Sequence, residues 1–286
     1  MTDLRFHVWD VFTDRPFAGN PLAIVEGAED LTTGQMQGLA RQFNLSETIF
    51  LLRPRDPAQT ARARIFLPAA EIPFAGHPTV GAALFLARRG GLGEVVLEEE
   101  AGPVPVRIAG DRAQFTAPVL PAPQGGPVDA ALAAEALGLS QDAIGPHAPA
   151  AFAAGPGFLF VPVHDRDRLA RARPQEPAWT GLVARLGVTG AFLYDPDLNA
   201  RMFAPHAGIP EDPATGAACA ILAAQLLANG ALPEGTTRRT IRQGEDMGRP
   251  SEIGFETDVT AGRITAIRVS GGAVPVAEGR IRIPPP

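Results

Sequence analysis

The chain has 286 residues and 45% hydrophobic content, enough to build one large core or two ordinary ones. Its net charge of −6 and the lack of an arginine stripe argue against nucleic acid as a partner. No apolar run reaches the ~18 residues of a membrane-spanning helix.

In chain order, Phe6–Phe12 and Leu22–Val25 alternate as strands, and Thr33–Phe43 carries helical spacing. His7 and Asp10 interrupt the first run, so it does not read as a secretion signal, and a cytoplasmic protein is expected. Thr48–Leu52, Ala63–Phe66 and Glu94–Glu99 read as strands, with Glu98–Glu100 a solvated edge. The Pro/Gly/Ala stretch Ala117–Gly126 is the natural linker. Beyond it, Asp129–Leu137 and Pro177–Leu186 read as helices, and Phe158–Val163, Ala191–Tyr194 and Arg201–Phe203 as strands. Arg263–Val269 is a closing strand, which Gly271-Gly272 separates from a further short strand, Ala273–Val276. That terminal piece is expected to return to the first domain.

The chain repeats itself at a spacing of about 136 residues. Phe66-Leu-Pro68 is matched by Phe203-Ala-Pro205, and Gly76-His-Pro-Thr-Val-Gly81 by Glu211-Asp-Pro-Ala-Thr-Gly216. Gly19–Val25 and Gly155–Val161 are both a glycine turn feeding an apolar strand. Pro78 and Pro213 are expected at the first helical position, which makes His77 and Asp212 the N-cap or its neighbour. The helices that follow, Val80–Ala87 and Ala217–Leu227, are apolar on nearly every face and must be surrounded by strands. If both N-termini face a cleft between two domains, their N–H groups and dipoles make an anion site, most simply for a carboxylate. Thr79, Gly81, Thr215 and Gly216 are small enough there for a ligand to approach the backbone. The plain alternative is that Thr79 and Asp212 only cap helices.

The chemistry is narrowed by what is missing. All 25 basic residues are arginine, so no Schiff-base lysine exists. Cys219 is the single cysteine, which rules out an internal disulfide and a two-cysteine racemase; within an apolar helix it reads as core. No histidine spacing suggests a metal site, and no strand–GxGxxG–helix suggests a dinucleotide. His206 is notable only for its closeness to Asp212 in sequence.

Val11-Phe-Thr-Asp-Arg-Pro-Phe-Ala-Gly-Asn-Pro21, Asn44-Leu-Ser-Glu-Thr-Ile-Phe50, Phe66–Gly81, Glu211–Gly216, Arg242-Gln-Gly244 and Met247–Ser251 follow one another in a family order. Together they resemble the PhzF-like family, the phenazine-biosynthesis isomerase group, similar in fold to diaminopimelate epimerase. The resemblance implies an α+β fold of two similar domains, each a curled, mostly antiparallel sheet around a buried helix. The expected domains are 1–117 plus 270–286, and 118–269. It places the catalytic carboxylate at Glu47, with His77 and Asp212 as companions. Asn20, Ser46, Gly76 and Ala217 join Thr79, Gly81, Thr215 and Gly216 as substrate-binding positions. Ala217 stands where serine is common in the family, so one hydroxyl donor is missing. The implied protein is a homodimeric isomerase without cofactor or metal, moving a proton on a small carboxylate-bearing molecule. A catalytically silent interaction protein, a hydrolase and a cofactor-independent epimerase are the competing readings.

Overall fold

A computed structural model of the chain describes residues 3–285. The fold is α+β, and the chain divides into two compact units, Met1–Pro118 with Val269–Pro286, and Val119–Arg268.

In the first unit, strands Asp3–Val11 (β1) and Asn20–Glu26 (β2) form an antiparallel pair. Helix Thr33–Phe43 (α1) opens on a capping box between Thr32 and Gln35 and closes on Asn44, whose φ of 52° is left-handed. That closure turns the chain into Glu47–Leu52 (β3), which runs parallel to β2 with Leu22 opposite Glu47. Both strands are almost wholly buried beyond their first residues, as suits a parallel pair covered on both faces. Ala61–Phe66 (β4) pairs antiparallel with β3 and with the short Glu71–Ile72 (β5). Helix Gly76–Gly90 (α2) follows, then Glu94–Glu99 (β6), Gly102–Ala109 (β7) and Arg112–Thr116 (β8). β6 is parallel to β4, and β7 is antiparallel to both β6 and β8. The last strand of the chain pairs with β8 and with β1, so the sheet closes into a barrel. α2 fills it, packing on β1, β2, β3, β6, β7 and β8. Outside, Met36 and Leu39 of α1 pack with Phe50 and Phe66 in a second apolar cluster.

The second unit begins with Ala122–Pro123 (β9), antiparallel to Ala150–Ala153 (β10). Helix Ala130–Ala136 (α3) lies between them, and Gly157–Pro162 (β11) pairs with β10. Helices Arg166–Arg171 (α4) and Ala178–Leu186 (α5) lead to Gly190–Tyr194 (β12), parallel to β11, and Asn199–Ala204 (β13), antiparallel to β12. Ile209–Asp212 (β14) pairs with β13 and delivers the buried helix Gly216–Ala228 (α6). Gly235–Gln243 (β15) runs parallel to β13 and antiparallel to Ser251–Thr260 (β16). A turn at Ala261-Gly262, both at positive φ, opens Arg263–Arg282 (β17). Trp179 and Leu182 of α5, Leu137 beside α3, and Leu159 and Leu193 belong to one apolar cluster of this unit.

Several expectations change. Gly271-Gly272 does not end a strand, because β17 is continuous through it. A Cβ at Gly271 would lie 2.3 Å from the Phe12 ring, and Gly272 O accepts the Phe12 N–H at 2.8 Å, so glycine here permits close approach. Pro78 is the third residue of α2, not the first, and Pro213 lies before α6. Gly76 and Gly216 begin the two helices. Glu99 is not a solvated edge: it is 5% exposed. β7, β8, β15 and β16 have no counterpart in the sequence reading.

Candidate active site

Glu47 is the first residue of β3, delivered by the left-handed turn that ends α1. His77 is the second residue of α2, behind Ala75 in extended conformation. The barrel thus brings together two residues that are 30 positions apart: His77 Nδ1 lies 2.9 Å from Glu47 Oε2. The His77 side chain is 3% exposed and that of Glu47 15%. The imidazole is therefore held by one carboxylate while Glu47 keeps a route to its surroundings. His77 Nε2 is buried and has no hydrogen-bond partner. A buried ring nitrogen without a partner costs about 1–3 kcal/mol, and such groups concentrate where a ligand or a proton is to be received. The pair can hold and pass a proton, with the histidine setting the direction of the carboxylate.

The other expected positions separate by what their atoms do. Gly76 starts α2 and is buried. Asn20 opens β2, fully buried, and Ser46 precedes Glu47 at partial exposure. Thr79 does not present its hydroxyl to a ligand: Oγ1 is 2.7 Å from both Ala75 O and Glu99 Oε1. Gly81 is small for packing, since a Cβ there would lie 2.6 Å from Leu22 Cδ2 and 2.8 Å from Val11 Cγ2.

In the second unit, Asp212 ends β14 and is 5% exposed. Thr215 Oγ1 donates to Asp212 Oδ2 at 2.6 Å. Gln243, at the end of β15, ties this group together. Its Nε2 donates to Asp212 O at 2.7 Å and to Thr215 Oγ1 at 3.0 Å, and its Oε1 accepts the Thr215 N–H at 3.1 Å. Gly216 is buried and Ala217 partly exposed. His206 sits at the surface, 3.2 Å from Thr180 Oγ1.

Two polar residues beside these groups, Gln243 and Glu99, are not among the expected site positions. Both end strands beside a buried helix, and the sequence signal for each is a lone polar side chain on the inward parity of a strand. Among the described residues, no group of three or more His, Cys, Asp or Glu side chains is placed to hold a metal ion.

Cys219 is fully buried in α6, and burial, reinforced by the charge of Asp212, pushes its thiol well above the usual range. A chromogenic thiol reagent at neutral pH is expected to leave native protein unmodified and to react with one equivalent after denaturation. Rapid labelling of the folded chain would show that the α6 core is open.

Residues 9–279 match the family described as phenazine biosynthesis-like protein. An uncharacterised isomerase of Mesorhizobium japonicum is 38% identical, with the match covering 99% of this chain and 100% of that protein. The trans-2,3-dihydro-3-hydroxyanthranilate isomerase of Pseudomonas aeruginosa is 34% identical over 96% of this chain and 98% of its own length. Among solved structures, a predicted epimerase from Pseudomonas aeruginosa superposes with a TM-score of 0.83 at 31% identity, covering 97% of this chain and 99% of that one.

Proposed function

We propose, for a chain that belongs to the phenazine biosynthesis-like family of isomerases, that Glu47 is the group that removes and returns the proton and that His77 directs it. The single observation that carries this reading is the part-buried Glu47–His77 contact at 2.9 Å with His77 Nε2 left open. In the proposed reaction a carbon–hydrogen bond next to unsaturation breaks and its proton passes to the Glu47 carboxylate. The electron pair spreads into the substrate's own conjugated system. The proton then returns at another carbon, so the product has the same atoms as the substrate. Asp212, fixed by Thr215 and Gln243, is proposed as the companion group that manages charge during this transfer.

The substrate proposed is a small unsaturated carboxylate, and the Pseudomonas aeruginosa relative is named for one. The absent hydroxyl at Ala217 argues for a substrate that differs from it at the group contacted there. The two units are further proposed to be copies of one ancestral unit. Pairing runs in the same succession in each, an antiparallel pair leading to a parallel one, then antiparallel again, then a parallel skip across the buried helix. Only the first copy carries the base. The second copy has Gly190 at the matching register, where a Cβ would meet Phe203 O at 2.2 Å.

The test is turnover in D₂O. Trans-2,3-dihydro-3-hydroxyanthranilate and related dienyl carboxylates are incubated with the protein, and product is examined for deuterium at the carbon that gains the proton. Isomerised, deuterium-labelled product is expected from at least one of them. Optical inversion without migration of the double bond would favour the epimerase reading, and binding without exchange the silent one.

A further inference from the structure

The hydroxyl of Thr79 has one proton and two oxygen neighbours, Ala75 O and Glu99 Oε1, each at 2.7 Å. Oxygen atoms at this separation need a proton between them. A peptide carbonyl can only accept, so Thr79 donates to Ala75, and the second proton must come from Glu99. The other carboxyl oxygen, Oε2, is buried and has no partner, which a carbonyl oxygen of a neutral acid tolerates far better than an ionised carboxylate does.

A second observation comes from the pairing register. Arg62 of β4 lies opposite Glu98 of β6, so Ala63 and Glu99 come next; in the second unit Ala200 of β13 lies opposite Gln243 of β15. The spacing that relates Phe66 to Phe203 also relates Ala63 to Ala200, which makes Glu99 and Gln243 counterparts. Both reach a threonine at the start of the buried helix, and the second copy does so with a neutral amide. A protonated glutamate is the same shape with the same charge.

We propose that Glu99 is a positioning residue of the site, held as an uncharged acid that donates its proton to Thr79 Oγ1 and so fixes the Ala75–Gly76 peptide ahead of His77. The peptide unit is planar, so pulling the Ala75 carbonyl into the helix, through Thr79 N at 3.2 Å and Thr79 Oγ1, turns the Gly76 N–H the opposite way, out of the helix start. The active-site relevance of that peptide rests on the Glu47–His77 reading above; the protonation of Glu99 does not.

Burial pushes the Glu99 carboxyl up from the ordinary 4.5 to about 8. Among the described residues, no charged group is bonded to it. Glu98 and Glu100 flank it on its own strand, Glu98 accepting from Arg55, while Arg64 of β4 is bound by Glu71. On α2, His77 is engaged with Glu47, and Arg88 reaches Asp111 at the far end of the helix. Arg107 of β7 lies opposite Glu94, at the other end of β6. Because the folded form keeps a proton that the unfolded form releases above about 4.5, this group's contribution to stability falls as pH rises from there to about 8.

The experiment compares wild type, E99Q and E99L by infrared difference spectroscopy, thermal melting and the imidazole ¹⁵N resonances of His77, assigned by their loss in H77N. Wild type near neutral pH should show a protonated-carboxyl band that E99Q removes. E99Q should melt a few degrees above wild type at pH 8, with the gap closing toward about pH 5. His77 should keep its resonances in E99Q and shift in E99L. No protonated-carboxyl band in wild type, an E99Q variant that melts lower at pH 8, or His77 signals unmoved in E99L would each overturn the proposal. None of these readouts uses turnover, so they stand apart from the assignment of the base to Glu47.

Discussion

Glu47→Gln is expected to lower kcat/KM by at least about 10²–10⁴-fold, the usual worth of a general acid–base group, with the upper end favoured because one residue both takes and returns the proton. The amide keeps the size of the side chain, and its oxygen can still accept from His77 Nδ1, so the 2.9 Å contact survives. Glu47 is partly exposed at the start of a strand whose remaining residues are buried apolar or threonine, so folding does not depend on its charge. The measurement is deuterium incorporation from D₂O alongside circular dichroism for both proteins. His77→Ala should cost less, because it loses the direction of the carboxylate and not the base itself. Asp212→Asn reads the companion role in the same assay. Undiminished exchange in Glu47→Gln, with the fold intact, would remove Glu47 from the mechanism and leave His77 and Asp212 to be tested as the base.

The candidate site enters the sequence reading through short contiguous runs that carry the family resemblance. Asn44–Thr48 places a carboxylate directly after a helix end, and the left-handed Asn44 and the strand that follows are local consequences of those residues. The buried helices were legible for a different reason: runs such as Ala217–Leu227 have no polar face to offer water. The same logic failed where burial is set by distant partners. β7 carries Pro103 and Pro105, a residue type that argues against a strand, yet both side chains point outward while Val104 and Val106 point in. β15 is rich in Thr and Arg, and only its inward Thr237, Ile241 and Gln243 are buried. Glu99 stands in the middle of an acidic run, yet the strand turns every second residue inward, and Glu99 follows Val95 and Leu97 in that set. Pro78 stands in the first turn of α2 behind Gly76, and Pro213 in the segment ahead of Thr215 and α6, because proline fits both settings as well as the first helical position.

Arg201→Met is expected to destabilise the fold by about 3–5 kcal/mol, or on the order of 10 °C in melting temperature. The Arg201 side chain is 2% exposed. Nε and Nη2 donate to the two oxygens of Glu211 at 2.8 Å each, and Nη1 donates to the carbonyls of Leu169, Ala170 and Ala172 at 3.2, 2.9 and 3.0 Å. Those carbonyls end α4, a six-residue helix whose last turn is also met by Arg173 Nη1, at Ala170 O and Ala172 O, and by the Ala172 N–H at Leu169 O. The guanidinium also lies 4.7 Å from the centre of the Phe203 ring. Methionine fills the space but leaves the Glu211 carboxylate without its two-pronged partner and takes the buried donor from the three carbonyls, which keep their bonds to Arg173 Nη1 and the Ala172 N–H. The first unit supplies the control. Arg64 makes the same two-pronged contact with Glu71, at 2.7 Å for each oxygen, and lies 5.3 Å from the Phe66 ring centre. Its side chain is more exposed, at 17%, it faces a Glu71 that is 31% exposed, and its remaining donor goes to a threonine hydroxyl and not to a helix end. Arg64→Met should therefore cost only about 1 kcal/mol. Chemical denaturation of both variants measures the difference directly. Equal losses would mean that two-pronged geometry sets the worth of these pairs; the larger loss at Arg201 would assign it to burial and to the bonds this side chain makes with the end of α4.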